Sequence, residues 1–289
     1  VNTFYQATGA TNFHDIELQI PLAVTDDPRN VQVLVEGDKI KVASRLSSSN
    51  DRAWMTHCHP RWSVEPIVTT DSLVDINNIE TRIGTTLLTT FSVEYLIKVG
   101  VSGMAFPWAV IEHFSNSTEM LVTVDNDPEN EMMKWDPRSW APTLDAAPSI
   151  GVTIFSDDQK LRIIARIGKI SIRSKKPPPK VYHLHVRKSD IHDDQRTRSV
   201  DIFAIGSQGE VLLQIESMRL AEVDADSKSS TGMNGLVYRI AWTPAHLAEK
   251  PLFLGNVVMI SPEDRILQHY GDQLDPHFTE LKKLEQLIH

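Results

Sequence analysis

The stretch 135–155, WDPRSWAPTLDAAPSIGVTIF, narrows the possible folds most, because it sets one acid, Asp145, inside an otherwise apolar helical pattern. Leu144, Ala147, Pro148, Gly151, Val152 and Phe155 recur at three- and four-residue steps, the spacing of a buried helix stripe. Asp145 and Ser149 are four apart on a neighbouring face, so two polar groups look toward one place. Asp136-Pro137 and Ala141-Pro142 both read as helix starts, where proline's missing N–H costs nothing, and Pro142 puts Asp145 near the positive end of the helix dipole. Pro148 would remove a backbone hydrogen bond, which predicts a kink or a short first turn.

The segments around this helix alternate with period two, as half-buried strands do. DIELQIPLAV alternates Ile16, Leu18, Ile20 and Leu22; NVQVLVEGDKIKVASRL is a hairpin turning at EGDK; WMTHCHPRWSV returns as one more strand. Before them VNTFYQATGA reads as the back half of a helix, with Phe4, Ala7 and Thr8 at helical spacing and Gly9 ending it. Residues 1–64 therefore read as the remainder of one helix-in-antiparallel-sheet unit, and 65–88, rich in Thr, Asp and Asn, as a linker. A second unit spans 89–223: a helix near 92–99, a glycine-interrupted loop, the aromatic group Phe106 to Trp108, the strand EMLVTVDND, the central helix, and the strands LRIIARIGKISIR, KVYHLHV and DIFAIGSQGEVLLQIESMRLAEV, the last a hairpin about Gly206 to Gly209. SIRSKKPPPK is a loop, since three prolines cannot continue a ladder. Residues 224–234 are a polar linker, and 235–289 open a further subdomain with two strands and a terminal helix. The fold class is α+β.

Composition excludes several functions. A net charge of −9 with scattered cations gives no basic face for nucleic acid. No apolar run reaches membrane-spanning length. One cysteine, Cys58, forbids an internal disulfide and fits a reducing, cytoplasmic setting. His57 and His59 share a strand face with no third ligand marked, so metal binding is not expected; His183 and His185, also two apart, read as an exposed polar face. His14, His113 and His192 fall in polar loop or edge contexts.

Three stretches in order, VGVSGMAFPWAVIEHF, SWAPTLDAAPSIGVTIF and GLVYRIAWTPAHLAEKP, resemble the dehydratase-like domain of iterative type I polyketide synthases, in particular the fungal 6-methylsalicylic acid synthase group. The resemblance implies a double hot-dog fold followed by the start of an α/β ketoreductase-associated subdomain. It makes Asp145 the catalytic acid, with Ser149 where the family has Gln or His, and Ala141 where a His usually precedes the proline. The partner base, in His-x-x-x-Gly-x-x-x-x-Pro, is expected upstream of Val1, so the chain reads as a fragment that is inactive in isolation. Met104, Phe106 and Trp108 are the implied lining of the channel for an acyl chain on phosphopantetheine, the carrier protein's arm; no cofactor is implied within the fragment, and its tail lacks Gly-x-Gly-x-x-Gly. The implied partners are the acyl carrier protein domain and the adjoining acyltransferase and ketoreductase regions, in a homo-oligomeric multifunctional enzyme of the acyltransferase class. Two chemistries fit: hydrolysis of the thioester to release an aromatic acid such as 6-methylsalicylic acid, toward which Ser149 tilts the reading, and dehydration of a β-hydroxyacyl intermediate. A non-catalytic dimerisation and scaffold module is the third.

Overall fold

The computed structural model describes residues 1, 2, 5, 9–20, 22, 28–48, 53–65, 73–101, 103–127, 133–174, 178–189 and 196–223. The expected linker 224–234, the subdomain 235–289 and His192 lie outside the described residues. In chain order the strands are β1 (Asn12–Glu17), β2 (Arg29–Glu36), β3 (Lys39–Leu46), β4 (Met55–Cys58), β5 (Arg61–Ser63), β6 (Ala109–Ser115), β7 (Glu119–Asp125), β8 (Arg162–Ile172), β9 (Val181–Lys188), β10 (Thr197–Ile205) and β11 (Val211–Glu222). The helices are α1 (Ile76–Ile83), α2 (Phe91–Lys98) and α3 (Ala141–Gly151), the last tightening into a 3₁₀ turn over Val152–Phe155. All the described strand pairings are antiparallel, so the architecture is α+β.

Two compact units divide the described residues, one from Val1–Leu18 and Pro60 onward, the other from Gln19–His59. The smaller is the β2–β3 hairpin with β4 on β3. Its turn is Gly37-Asp38, and Gly37 takes the left-handed φ of 57° that a two-residue hairpin turn demands. The larger unit is a sheet in the order β5-β1-β8-β11-β10-β9-β7-β6. Its β1–β8 ladder, from Asn12 opposite Ser171 to Glu17 opposite Arg166, joins the chain's beginning to its middle.

Helices cover both faces of the larger sheet. On one face α3 packs over β10, and a Cβ at Gly151 would lie 2.7 Å from Ile202 Cδ1, which is why the helix has glycine at this crossing. On the other, Ile79 and Ile83 of α1 meet Leu121 of β7. β7 is consequently buried along nearly its whole length rather than on alternate residues.

The helix α1 falls inside the stretch whose polar composition reads as a linker. It is anchored at both ends: Asp75 caps it by accepting from Asn78 N at 3.1 Å, and Gly84 closes it in the left-handed conformation at φ 71°. Only two of its eight residues are fully buried, Ile79 and Ile83, so the apolar signal is too sparse to stand out.

Further expectations are corrected. The strand near residue 16 begins at Asn12 and ends at Glu17, and Leu18, Ile20 and Leu22 are exposed, so their alternation marks no buried face. WMTHCHPRWSV is two short strands, because Pro60 cannot donate to a ladder. In α3 the buried stripe is Pro142, Thr143, Ala146, Ala147, Ile150 and Gly151; Leu144 and Pro148 are half-buried on the other side, with Asp145 and Ser149. Asp136 starts no helix but forms a turn, accepting from Arg138 N at 2.8 Å. Pro148 lies inside the helix, which continues to Gly151 before tightening into the 3₁₀ turn.

Candidate active site

Asp145 lies near the start of α3, where Pro142 fits the first turn and Ser139 Oγ accepts from Ala141 N at 3.2 Å. The loop leading into β6 crosses this point. Asp145 Oδ2 accepts from Phe106 N at 3.3 Å and from Trp108 Nε1 at 3.2 Å. Trp108 is buried, and Phe106 meets the Trp135 ring edge-on at 5.5 Å. Burial in these apolar surroundings pushes the Asp145 carboxyl above the usual range, while the Phe106 and Trp108 donors partly offset it. No cation pairs with Asp145 among the described residues, so the carboxyl is tuned by desolvation and neutral donors alone.

A buried polar group accompanies it. Asn126 Nδ2 donates to Tyr182 Oη at 3.0 Å and to Thr143 Oγ1 at 3.4 Å. Burial first, and the Asp145 charge as a smaller cause, push the Tyr182 phenol far above its ordinary range, so it stays a neutral hydroxyl. Asn2 Oδ1 accepts from Trp140 N at 2.8 Å, which brings the beginning of the chain to the beginning of α3.

The remaining sequence candidates distribute unevenly. Phe106 and Trp108 touch Asp145 directly; Met104, on the same loop, is exposed and shows no polar contact to it. Ser149 shares the half-buried face of α3 with Asp145, and its hydroxyl has no hydrogen-bond partner among the described residues. The histidines depart from expectation. His57 is buried between Ser44 Oγ at 2.7 Å and Ile20 O at 2.8 Å, while His59 lies outside β4, so they form no paired face. His185 is buried and bonded to Glu119 Oε2 at 2.9 Å rather than solvated, and His183 meets Thr123 Oγ1 at 3.1 Å. His113 is wholly buried against the Phe91 ring, and burial lowers its pKa to about 4. His14 is on β1, 3.2 Å from Ser63 Oγ.

Sequence reasoning passed over Tyr182, Asn126 and Thr143. A signal existed for Tyr182: in VYHLHV it alternates with Leu184 and Val186, which puts a hydroxyl on the apolar face.

No family model matches the chain. It is 49% identical over 287 residues to mellein synthase of Phaeosphaeria nodorum, and 37% identical over 294 residues to 6-methylsalicylic acid synthase of Aspergillus terreus. These alignments take in 98% and 99% of this chain, and 16% of each of the two synthases. Among solved structures it superposes on the dehydratase domain from the CurH module of curacin polyketide synthase with a TM-score of 0.63, at 18% identity, over 78% of this chain and 81% of that one. A trans-AT polyketide synthase dehydratase domain from Brevibacillus brevis gives 0.63 at 15% identity, over 76% and 78%. The chain is related in sequence to a segment of these fungal synthases and has the fold of polyketide synthase dehydratase domains. The chain spans about one sixth of the length of the synthases it matches, and its fold neighbours place it by architecture alone, at low identity.

Proposed function

We propose that this domain is a double hot-dog module acting on an acyl thioester carried on phosphopantetheine, and that it hydrolyses the thioester to release an aromatic acid. The observation that carries the reading is the Asp145 carboxyl: one oxygen is fixed by Phe106 N and Trp108 Nε1, and burial favours its protonated form. A neutral carboxyl held in place can donate a hydrogen bond to the oxygen on which negative charge develops as water attacks a thioester carbonyl. Water needs a base. The histidine that the resemblance puts before Val1 would supply it, and the Asn2 contact to Trp140 N supports its arrival beside α3. Phe106 and Trp108 would flank the acyl group, with Met104 toward the entrance. Ser149, one turn after Asp145, would hold water through a short arm.

Dehydration is the second reading, favoured by the same raised carboxyl. There the histidine removes the α-proton and Asp145 delivers its proton to the departing hydroxyl, giving water and the α,β-unsaturated thioester. The two separate by product. The intact synthase is offered a β-hydroxyacyl thioester and an aryl thioester, with water loss followed by mass and free acid measured apart. Acid release without water loss supports hydrolysis; water loss alone replaces it with dehydration. An Asp145→Asn protein that matches the parent in both assays removes Asp145 from either mechanism.

A further inference from the structure

The sheet face opposite α3 holds an open cavity of about 360 Å³ lined by Val74, Asp75, Asn78, Arg82, His185, Arg187 and Phe203, with Ile79, Ile205 and Val211 completing its apolar wall. That volume lies at the lower end of small-ligand sites. The cavity is built, since α1 is fastened over the sheet at both ends. Val74 N donates to Gly209 O at 2.8 Å, and beyond the helix Leu87 N donates to His113 O at 2.8 Å and Ser115 N to Thr85 O at 2.9 Å.

Charge inside it is sorted. Arg82 grips Glu119 with Nε at 2.6 Å and Nη2 at 2.7 Å, and His185 Nε2 takes the same carboxylate at 2.9 Å, so Glu119 and Arg82 satisfy one another. Asp75 is occupied as the cap of α1. Arg187 remains. Its guanidinium lies 4.9 Å from the Phe203 ring centroid, and no carboxylate stands within ion-pair distance of it among the described residues. The His185 and Phe203 rings are neighbours at 6.1 Å and 33°, forming a gently tilted floor.

The geometry points to a binding site for a small organic acid with a ring-sized apolar body, its carboxylate on Arg187 and its ring over Phe203 and His185. A planar fork parked on an aromatic face is suited to a carboxylate, and the apolar wall favours a ligand with an apolar body over a fully hydrated anion such as phosphate. The site is on the other face of the sheet from Asp145 and does not rest on the reading of that residue.

Equilibrium dialysis of labelled benzoate against the intact protein tests it, with benzamide and inorganic phosphate as competitors. Saturable binding is expected, weakened about tenfold or more by Arg187→Gln, as loss of a charge-assisted contact implies. Neither competitor should displace it, and Asp145→Asn should leave it unchanged. Asn78→Trp, at an exposed position on the rim where Oδ1 accepts from Arg82 Nη1 at 3.3 Å, should block the site with a thermal melt close to the parent's. Binding that survives both Arg187→Gln and Asn78→Trp, or that phosphate displaces as well as benzoate does, overturns the proposal. So does the absence of saturable binding in the parent.

Discussion

The two faces of the larger sheet handle a buried acid in opposite ways. Under α3, Asp145 has no cation among the described residues, takes its hydrogen bonds from a backbone N–H and an indole, and is shifted toward its protonated form. Under α1, Glu119 is clasped by Arg82 and His185, and chiefly the Arg82 hydrogen bonds hold its pKa at about 2. Both acids are partly withdrawn from water. What separates them is the partner: a cation fixes the negative form and makes an anchor, whereas without one burial shifts the balance toward the protonated form, which neutral donors only partly offset. The difference teaches that burial alone does not set which form a carboxyl favours, and that the partner decides it.

The largest effect expected from breaking this comparison is on activity. Asp145→Asn keeps the size and removes the titrating proton, so turnover of the thioester substrate should fall by about 10²–10⁴, the usual contribution of a positioned acid. Stability should move the other way. An acid whose folded pKa is raised binds its proton more tightly in the native state, so the parent loses stability as pH rises from the unfolded value through the folded one. The asparagine variant has no such loss, and its melting temperature at neutral pH should exceed the parent's. A lower melt together with unchanged turnover would return Asp145 to a structural role.

Glu119→Ala should do the reverse, costing about 2 kcal/mol of stability, a figure below that of a fully buried pair because Arg82 is half exposed. The sign with pH follows from the depressed carboxyl. Glu119's contribution is complete above its ordinary pKa of 4.5 and lost as pH falls through about 2. Urea titrations across that window should show stability declining in the parent and a shallower decline in the alanine variant. Next in size is Gly209→Ala, at about 1–2 kcal/mol: Gly209 has φ 84°, and a Cβ there would run into the Val74 carbonyl oxygen. Because that contact fastens α1, hydrogen exchange should quicken across 76–83 and not across α3.

Most of the strand order and the central helix were legible because their signals are local: alternation in KVYHLHV and LRIIARIGKISIR, a proline at the start of α3, glycines at the hairpin turns. Asp145 stood out for the same reason, as one acid in an apolar stretch. What escaped depends on the opposite side of the molecule. Sequence alone finds Ala147, Gly151, Val152 and Phe155 of the buried stripe but misplaces Leu144 and Pro148, which look as apolar as Ala146 and Ile150, and only the sheet decides which row is covered. Helix α1 was hidden in a polar segment whose two buried isoleucines have meaning only against Leu121. Glu119, Arg82 and His185 meet across 37 and 66 residues of sequence, and no spacing rule links them. Tyr182 was legible as a strand residue and illegible as a neighbour of Asp145.

The smallest expected effect is also the sharpest test of how Asp145 is tuned. Trp108→Phe keeps an aromatic ring in the buried position and deletes the Nε1–H that donates to Oδ2, leaving Phe106 N as the remaining donor of the pair. Both donors favour the carboxylate, so losing one should raise the Asp145 pKa further. If the protonated acid is the active form, the descending alkaline limb of kcat/KM for the thioester substrate should move to higher pH, by less than about one unit for a single neutral hydrogen bond. KM should change little, because a phenyl ring still fills the site. The measurement is the pH profile of parent and variant side by side. A limb displaced to lower pH would mean that Trp108 favours the neutral carboxyl, and the contrast with Glu119 would then rest on the Arg82 cation alone.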